Sequence, residues 1–159
     1  MKKYTWAMDL SLSNTGICIF EDGNPIIVFS VKTKSKHTHG NRLKVIADFI
    51  LKKMEEYPPK FVVLESGFTR FNKSTQAIYK VHGVTNYLLR DYEQLYYPPK
   101  TVKKVVCGNG NANKDVIMEV VSKKFPHLQI DNDDESDAVA VGMCYFLENG
   151  CGKEYANKN

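Results

Sequence analysis

No stretch of this 159-residue chain stays apolar for more than a few residues, far short of the roughly 18 to 20 that a membrane-spanning helix requires. Met1-Lys2-Lys3 leads into an alternating segment instead of a secretory apolar region, so a cytosolic location and no membrane partner are expected. Cysteine is scarce: Cys18, Cys107, Cys144 and Cys151 form no Cys-x-x-Cys pair, which argues against a zinc site or disulfide framework and for reduced structural thiols. No internal repeat and no linker composition interrupts the chain. One domain over residues 1–150 with a polar tail at 151–159 is therefore expected. Charge bias is slight as well. A net charge of +4 is compatible with a polyanionic partner and equally with an ordinary soluble protein. What the chain does have is 43% apolar and 11% aromatic residues, enough for a full hydrophobic core.

The pattern of those apolar residues predicts an α/β fold. Residues 4–10, 14–20 and 25–32 read as three strands, and Asp22-Gly23 between the last two tolerates the positive φ of a tight hairpin turn. Leu43, Ile46, Ala47, Ile50, Leu51 and Met54 recur at helical spacing, with Asn41 as the expected cap, until Tyr57-Pro58-Pro59. Phe61-Val62-Val63-Leu64 suits a central strand buried on both faces. Ser66 to Lys73 reads as a loop, and Ser74 as the cap of a helix to about Arg90 that contains Gly83, a residue that close packing would justify. Gln94 to Tyr97 is the fifth strand. Further helices are predicted from Pro98-Pro99 to Val106, from Asn113 onward, and from about Asp134 to Leu147. An antiparallel meander followed by alternating helices and strands implies a five-stranded mixed sheet flanked by helices.

Four acidic residues stand where apolar segments stop or start: Asp9, Glu65, Asp134 and Asp137. A carboxylate at the end of a buried strand is costly to desolvate unless a basic group or a hard cation satisfies it. Read alone, Asp9 is also compatible with a turn residue, Glu65 with a structural ion pair, and Asp134 and Asp137 with helix capping. The spacing of three sets Asp134 and Asp137 on one helix face. Asp131, Asp133 and Glu135 add more negative charge than capping needs. Convergence of the four on Mg²⁺ is the expectation. After Glu65, the segment Gly67-Phe68-Thr69-Arg70-Phe71-Asn72-Lys73 interleaves two aromatics with two cations, a mixture suited to stacking on bases while holding phosphates. Either aromatic is also compatible with the core. The run Lys32, Lys34, Lys36, His37, His39, Arg42 and Lys44 suits a phosphate-tracking surface and, residue by residue, a solvated loop.

Taken in order, these segments resemble the Holliday junction resolvases typified by RuvC, within the RNase H-like nuclease superfamily. The resemblance is carried by Asp9 with Thr15-Gly16, Glu65 with Phe68, Val102-Lys103-Lys104 leading through Gly108 and Gly110 to Lys114, and Asp134-x-x-Asp137-Ala138. It spans about residues 5 to 148. Leu10-Ser11 stands where cellular members carry Pro-Gly, which looks more like bacteriophage-type members, resident in a host cytoplasm. The resemblance implies an RNase H-like fold and an Mg²⁺-dependent endonuclease, with Mn²⁺ able to substitute and two ions per site. It implies Asp9, Glu65, Asp134 and Asp137 as ligands, and Lys114 as stabiliser of transition-state charge. It further implies DNA contacts by Phe68, Arg70, Phe71, Lys73, Lys103 and Lys104, four-way or branched DNA as substrate, no small-molecule cofactor, and a homodimer, for which the Gly83 helix with Tyr79 and Tyr87 is the expected interface. Three other readings remain: a nuclease of RNA-DNA hybrids, an actin-like or sugar-kinase phosphotransferase, and a non-catalytic junction-binding module.

Overall fold

A computed structural model describes residues 1–67 and 73–150. Its sheet comprises β1 (Tyr4–Asp9), β2 (Asn14–Glu21), β3 (Asn24–Lys32), β4 (Pro59–Glu65) and β5 (Glu93–Tyr97). Its helices are α1 (His39–Glu56), α2 (Lys73–Leu88), α3 (Pro99–Cys107), α4 (Lys114–Lys124) and α5 (Asp133–Glu148). The strands lie in the order β3-β2-β1-β4-β5, antiparallel through β3, β2 and β1 and parallel from β1 to β4 to β5. The expected mixed sheet is therefore present, with the hairpin turn made by Asp22 and Gly23, both at positive φ.

Alternation along β1 and β4 builds two cores. Ala7 and Val63 face a layer of α3, α4 and α5, where they meet Val102, Val106, Ile117, Val121 and the apolar run of α5. Trp6, Met8, Val62 and Leu64 face the other way, onto Ile46, Ile50 and Val81 of α1 and α2. Each fully buried side chain of this size contributes about 1.5–3 kcal/mol relative to exposure. Because both faces of the central strands are covered, their polar groups are confined to the strand ends.

Some boundaries differ from expectation. The first helix begins two residues before Asn41, with the Thr38 side chain accepting from the Asn41 backbone N–H at 3.2 Å. Thr38, a favoured cap residue type, takes the place expected of Asn41. Lys73 already opens α2, so Ser74 lies inside its first turn. Among the described residues a side chain at Gly83 would meet nothing within 4 Å, so packing against them does not account for this glycine. The fourth and fifth helices carry side-chain caps from Asn113 and Asn132. Cys18 and Cys144 are buried and, with Cys107, are free thiols. Among the described residues no helix is long and apolar enough to cross a membrane.

Candidate active site

The position of Asp9 follows from period-two geometry. It is one residue past Met8 on β1, which pairs with Leu64 of β4, so the same register sets Asp9 beside Glu65. Both continue the row of Ala7 and Val63 and therefore point to the α5 side of the sheet. Across the other edge of β1, Asp9 pairs with Gly16 of β2.

Gly16 fixes the third element. A Cβ at this position would lie 2.3 Å from the Asp134 carbonyl oxygen and 3.3 Å from Ala138 Cβ, so only glycine lets the first turn of α5 rest on β2 directly opposite Asp9. Asn132 caps that turn by accepting from the Glu135 N–H at 3.0 Å. Asn14, the first residue of β2, donates to Asp134 Oδ2 at 2.8 Å and to Asn132 Oδ1 at 3.2 Å. The acidic end of α5 is thus tied to the strand that follows Asp9. Asn14 and the contact role of Gly16 escaped the sequence reading, although both belong to the segment around Thr15 and Gly16. Strand-opening polar residues are ordinary, and only the fold reveals what they face.

The result is a cavity of about 230 Å³ whose walls include Asp9, Glu65, Asp134, Asp137, Lys103 and Lys114. All four sequence-selected carboxylates and two of the selected lysines meet there. The Lys114 ammonium stands 3.8 Å from Asp133 Oδ2 at the cavity rim. Although α5 starts at Asp133, it is Asp134 that faces the cavity. Lys104 is exposed on α3 and does not line this space. Lys73 lines a neighbouring cleft instead. Phe68, Arg70 and Phe71 lie outside the described residues. The basic run at 32–44 is mostly exposed, but Arg42 is buried, against the solvated reading.

Crowding of carboxylates shows in their protonation. Burial, then the charges of Glu65, Asp137 and Asp134, holds the Asp9 carboxyl well above the ordinary Asp range. Burial and the Asp137 charge lift Glu65 to about 7, opposed by its hydrogen bond with Asp9 and by Lys103 and Lys114. For Asp137 burial dominates and gives about 6, with Lys114 opposing. Among the described residues no three His, Cys, Asp or Glu side chains are already gathered tightly enough to hold an ion. The donor chemistry nonetheless fits a hard cation: the acidic groups offer oxygen alone, and the two flanking lysines leave their mutual repulsion uncancelled. A divalent ion would offset that repulsion and favour the ionised forms.

Comparison with known proteins bears on this arrangement. The family described as crossover junction endodeoxyribonuclease RuvC matches residues 8–145, a span that holds all four carboxylates. The chain belongs to the RuvC family of crossover junction endodeoxyribonucleases. It is 34% identical over 127 residues to the RuvC of Rickettsia akari, covering 74% of this chain and 78% of that protein. The fold is similar to that of Thermus thermophilus RuvC, with a TM-score of 0.77 at 18% identity over 94% of this chain and 96% of that one. It is also similar to T. thermophilus RuvC in complex with a Holliday junction substrate, with a TM-score of 0.75 at 16% identity over 95% and 97%. The fold of this RuvC-family chain is accordingly RNase H-like, as the sequence implied.

Proposed function

We propose that this RuvC-family enzyme cuts Holliday junctions and other branched DNA by phosphodiester hydrolysis in the acidic cavity. Asp9, Glu65, Asp134 and Asp137 hold two Mg²⁺ ions, for which Mn²⁺ can substitute. The observation that carries this reading is the meeting of four carboxylates from three separate elements with two lysines in one cavity. Divalent cations bound there supply Lewis acidity and charge neutralisation for the reacting phosphate.

The chain's own groups have distinct tasks. Asn14 holds Asp134 in a fixed orientation through its 2.8 Å bond, leaving the rest of that carboxylate for a cation. Lys114, at the first turn of α4, meets the negative charge that grows on the phosphate as the bond breaks. Lys103, half-buried on α3, steadies a phosphate oxygen in the ground state. Lys104 reaches DNA backbone farther out. Phe68, Arg70 and Phe71 follow Glu65 closely in sequence, and we assign them DNA contacts because aromatic stacking favours an opened branch point over a regular duplex.

Two symmetric cuts in one junction call for a two-fold dimer. Tyr79 and Tyr87 on α2 are exposed, and among the described residues nothing lies within 4 Å of a side chain placed at Gly83 between them, which supports this helix as the interface. Sedimentation should give a dimer with a four-way junction bound, and a monomer under those conditions would rule the interface out. The reaction itself is tested by offering four-way, fork, flap and RNA-DNA hybrid substrates with and without Mg²⁺. Metal-dependent cutting strongest on the four-way substrate is expected. Equal or better cutting of the hybrid would overturn the assignment.

A further inference from the structure

On the far side of Ser11 and Ile78, which wall both spaces, a second cleft of about 570 Å³ opens between the Ser11–Ser13 turn and helices α1 and α2. Its chemistry is the inverse of the first. His39, Arg42, Lys73 and Lys80 line it with Ser11 and Ser13, and no carboxylate is among its described walls.

Arg42 is the informative member. It lies four and eight residues before Ile46 and Ile50, on the buried stripe of α1, where an apolar side chain would serve stability better. With 8% of its surface exposed, its guanidinium donates from Nε to Thr33 Oγ1 at 2.8 Å and from Nη2 to Ser13 Oγ at 3.3 Å. Both acceptors are neutral. Thr33 in turn donates to the Leu12 carbonyl at 2.5 Å, which fixes the hydroxyl that orients the guanidinium. No carboxylate among the described residues pairs with Arg42, although five N–H donors are available to it. A buried cation without a counter-charge is costly, and a planar fork of donors matches phosphate oxygens. Across the cleft Lys80 Nζ stands 3.0 Å from His39 Nδ1. An ammonium can only donate, so the imidazole accepts and leaves the remaining ammonium protons for another acceptor.

We infer that this cleft is a second phosphate site, which takes a DNA backbone phosphate near the cut bond and is anchored by Arg42 with Lys80 and the Ser13 hydroxyl. The inference rests on the nuclease reading above and adds to it a clamp on the cationic side of the Ser11 wall. In this arrangement the acidic cavity, which repels phosphate until cations arrive, is not asked to bind DNA unaided.

Ser13→Asp separates this role from a structural one. The exposed Ser13 position would place a carboxylate on the Arg42 fork, so the substitution should keep or raise the thermal midpoint while weakening DNA binding. Affinity for a synthetic four-way junction is measured across a salt series without divalent ions, alongside thermal unfolding. About a tenfold loss of affinity is expected, with a salt slope smaller by about one. Lys80→Gln, at an exposed site, should lower the slope without moving the midpoint, and decides the matter if Ser13→Asp does not fold. Parental affinity and slope in the folded variants would overturn the clamp while the parent still binds and cuts. A parent that neither binds nor cuts four-way DNA would instead remove the nuclease reading, and this inference with it.

Discussion

Two spaces share the wall formed by Ser11 and Ile78 yet carry opposite charge. One gathers Asp9, Glu65, Asp134 and Asp137; the other presents Arg42, Lys73 and Lys80 with no carboxylate among its described walls. Neither is what folding alone would favour, since like charges crowd in the first and, among the described residues, a guanidinium is buried without an ion pair in the second. On the proposed reading, hard cations would offset the first imbalance and a phosphate the second. A nucleic acid strand passing over the shared wall, together with cations in the acidic cavity, would satisfy both.

Removing a carboxylate should have the largest effect. Asp9→Asn or Glu65→Gln is expected to lower metal-dependent cleavage by about 10³-fold or more, with junction binding retained, as read by single-turnover assay and gel shift. Metal-free stability should not fall, because a repelling charge has gone. Next, Gly16→Ala forces a Cβ to within 2.3 Å of the Asp134 carbonyl oxygen. Such overpacking should cost about 1–3 kcal/mol in denaturant unfolding and shift Asp134, so cleavage drops too. Asn14→Ala removes the 2.8 Å bond to Asp134 and should reduce activity about 10- to 100-fold, with a smaller loss of stability of about 1 kcal/mol.

The smallest effect concerns pH without metal. Glu65 rises from 4.5 to about 7 and Asp137 from 3.8 to about 6, so both bind protons more tightly folded than unfolded. Their contribution favours the fold at low pH and is lost as pH climbs from about 4 to 7, by at most about 1.4 kcal/mol per pH unit for each group. Thermal unfolding in chelator should show that decline. Glu65→Gln should flatten it, and an unchanged slope in that variant would place the charge strain elsewhere.

The acidic cavity was legible in sequence because its residues terminate periodic segments. Asp9 and Glu65 end apolar strands, and the three-residue spacing of Asp134 and Asp137 projects both to one side of a helix. The strand order was not written in any local pattern, yet it is what sets Asp9 beside Glu65. Gly16 and Asn14 act across 118 to 120 residues of sequence, through contacts with Asp134 that no local signal announces. Arg42 was misread for a related reason: it sits in a polar, basic run, and only the helix beginning at His39 turns it inward onto the stripe of Ile46 and Ile50. The cap expected at Asn41 is supplied by Thr38, and the packing expected of Gly83 is not found among the described residues.

The central claim is that the four clustered carboxylates bind divalent cations, and proton release on binding tests it most directly. At pH 6.5 Glu65, lifted to about 7, still holds in most molecules a proton that a cation must displace. Calorimetric titration with Mn²⁺ or Mg²⁺ in buffers of different ionisation enthalpy should report saturable binding with release of about one proton or more, reduced in Glu65→Gln. Absence of saturable binding, or binding with no proton released in the parent, would contradict the account.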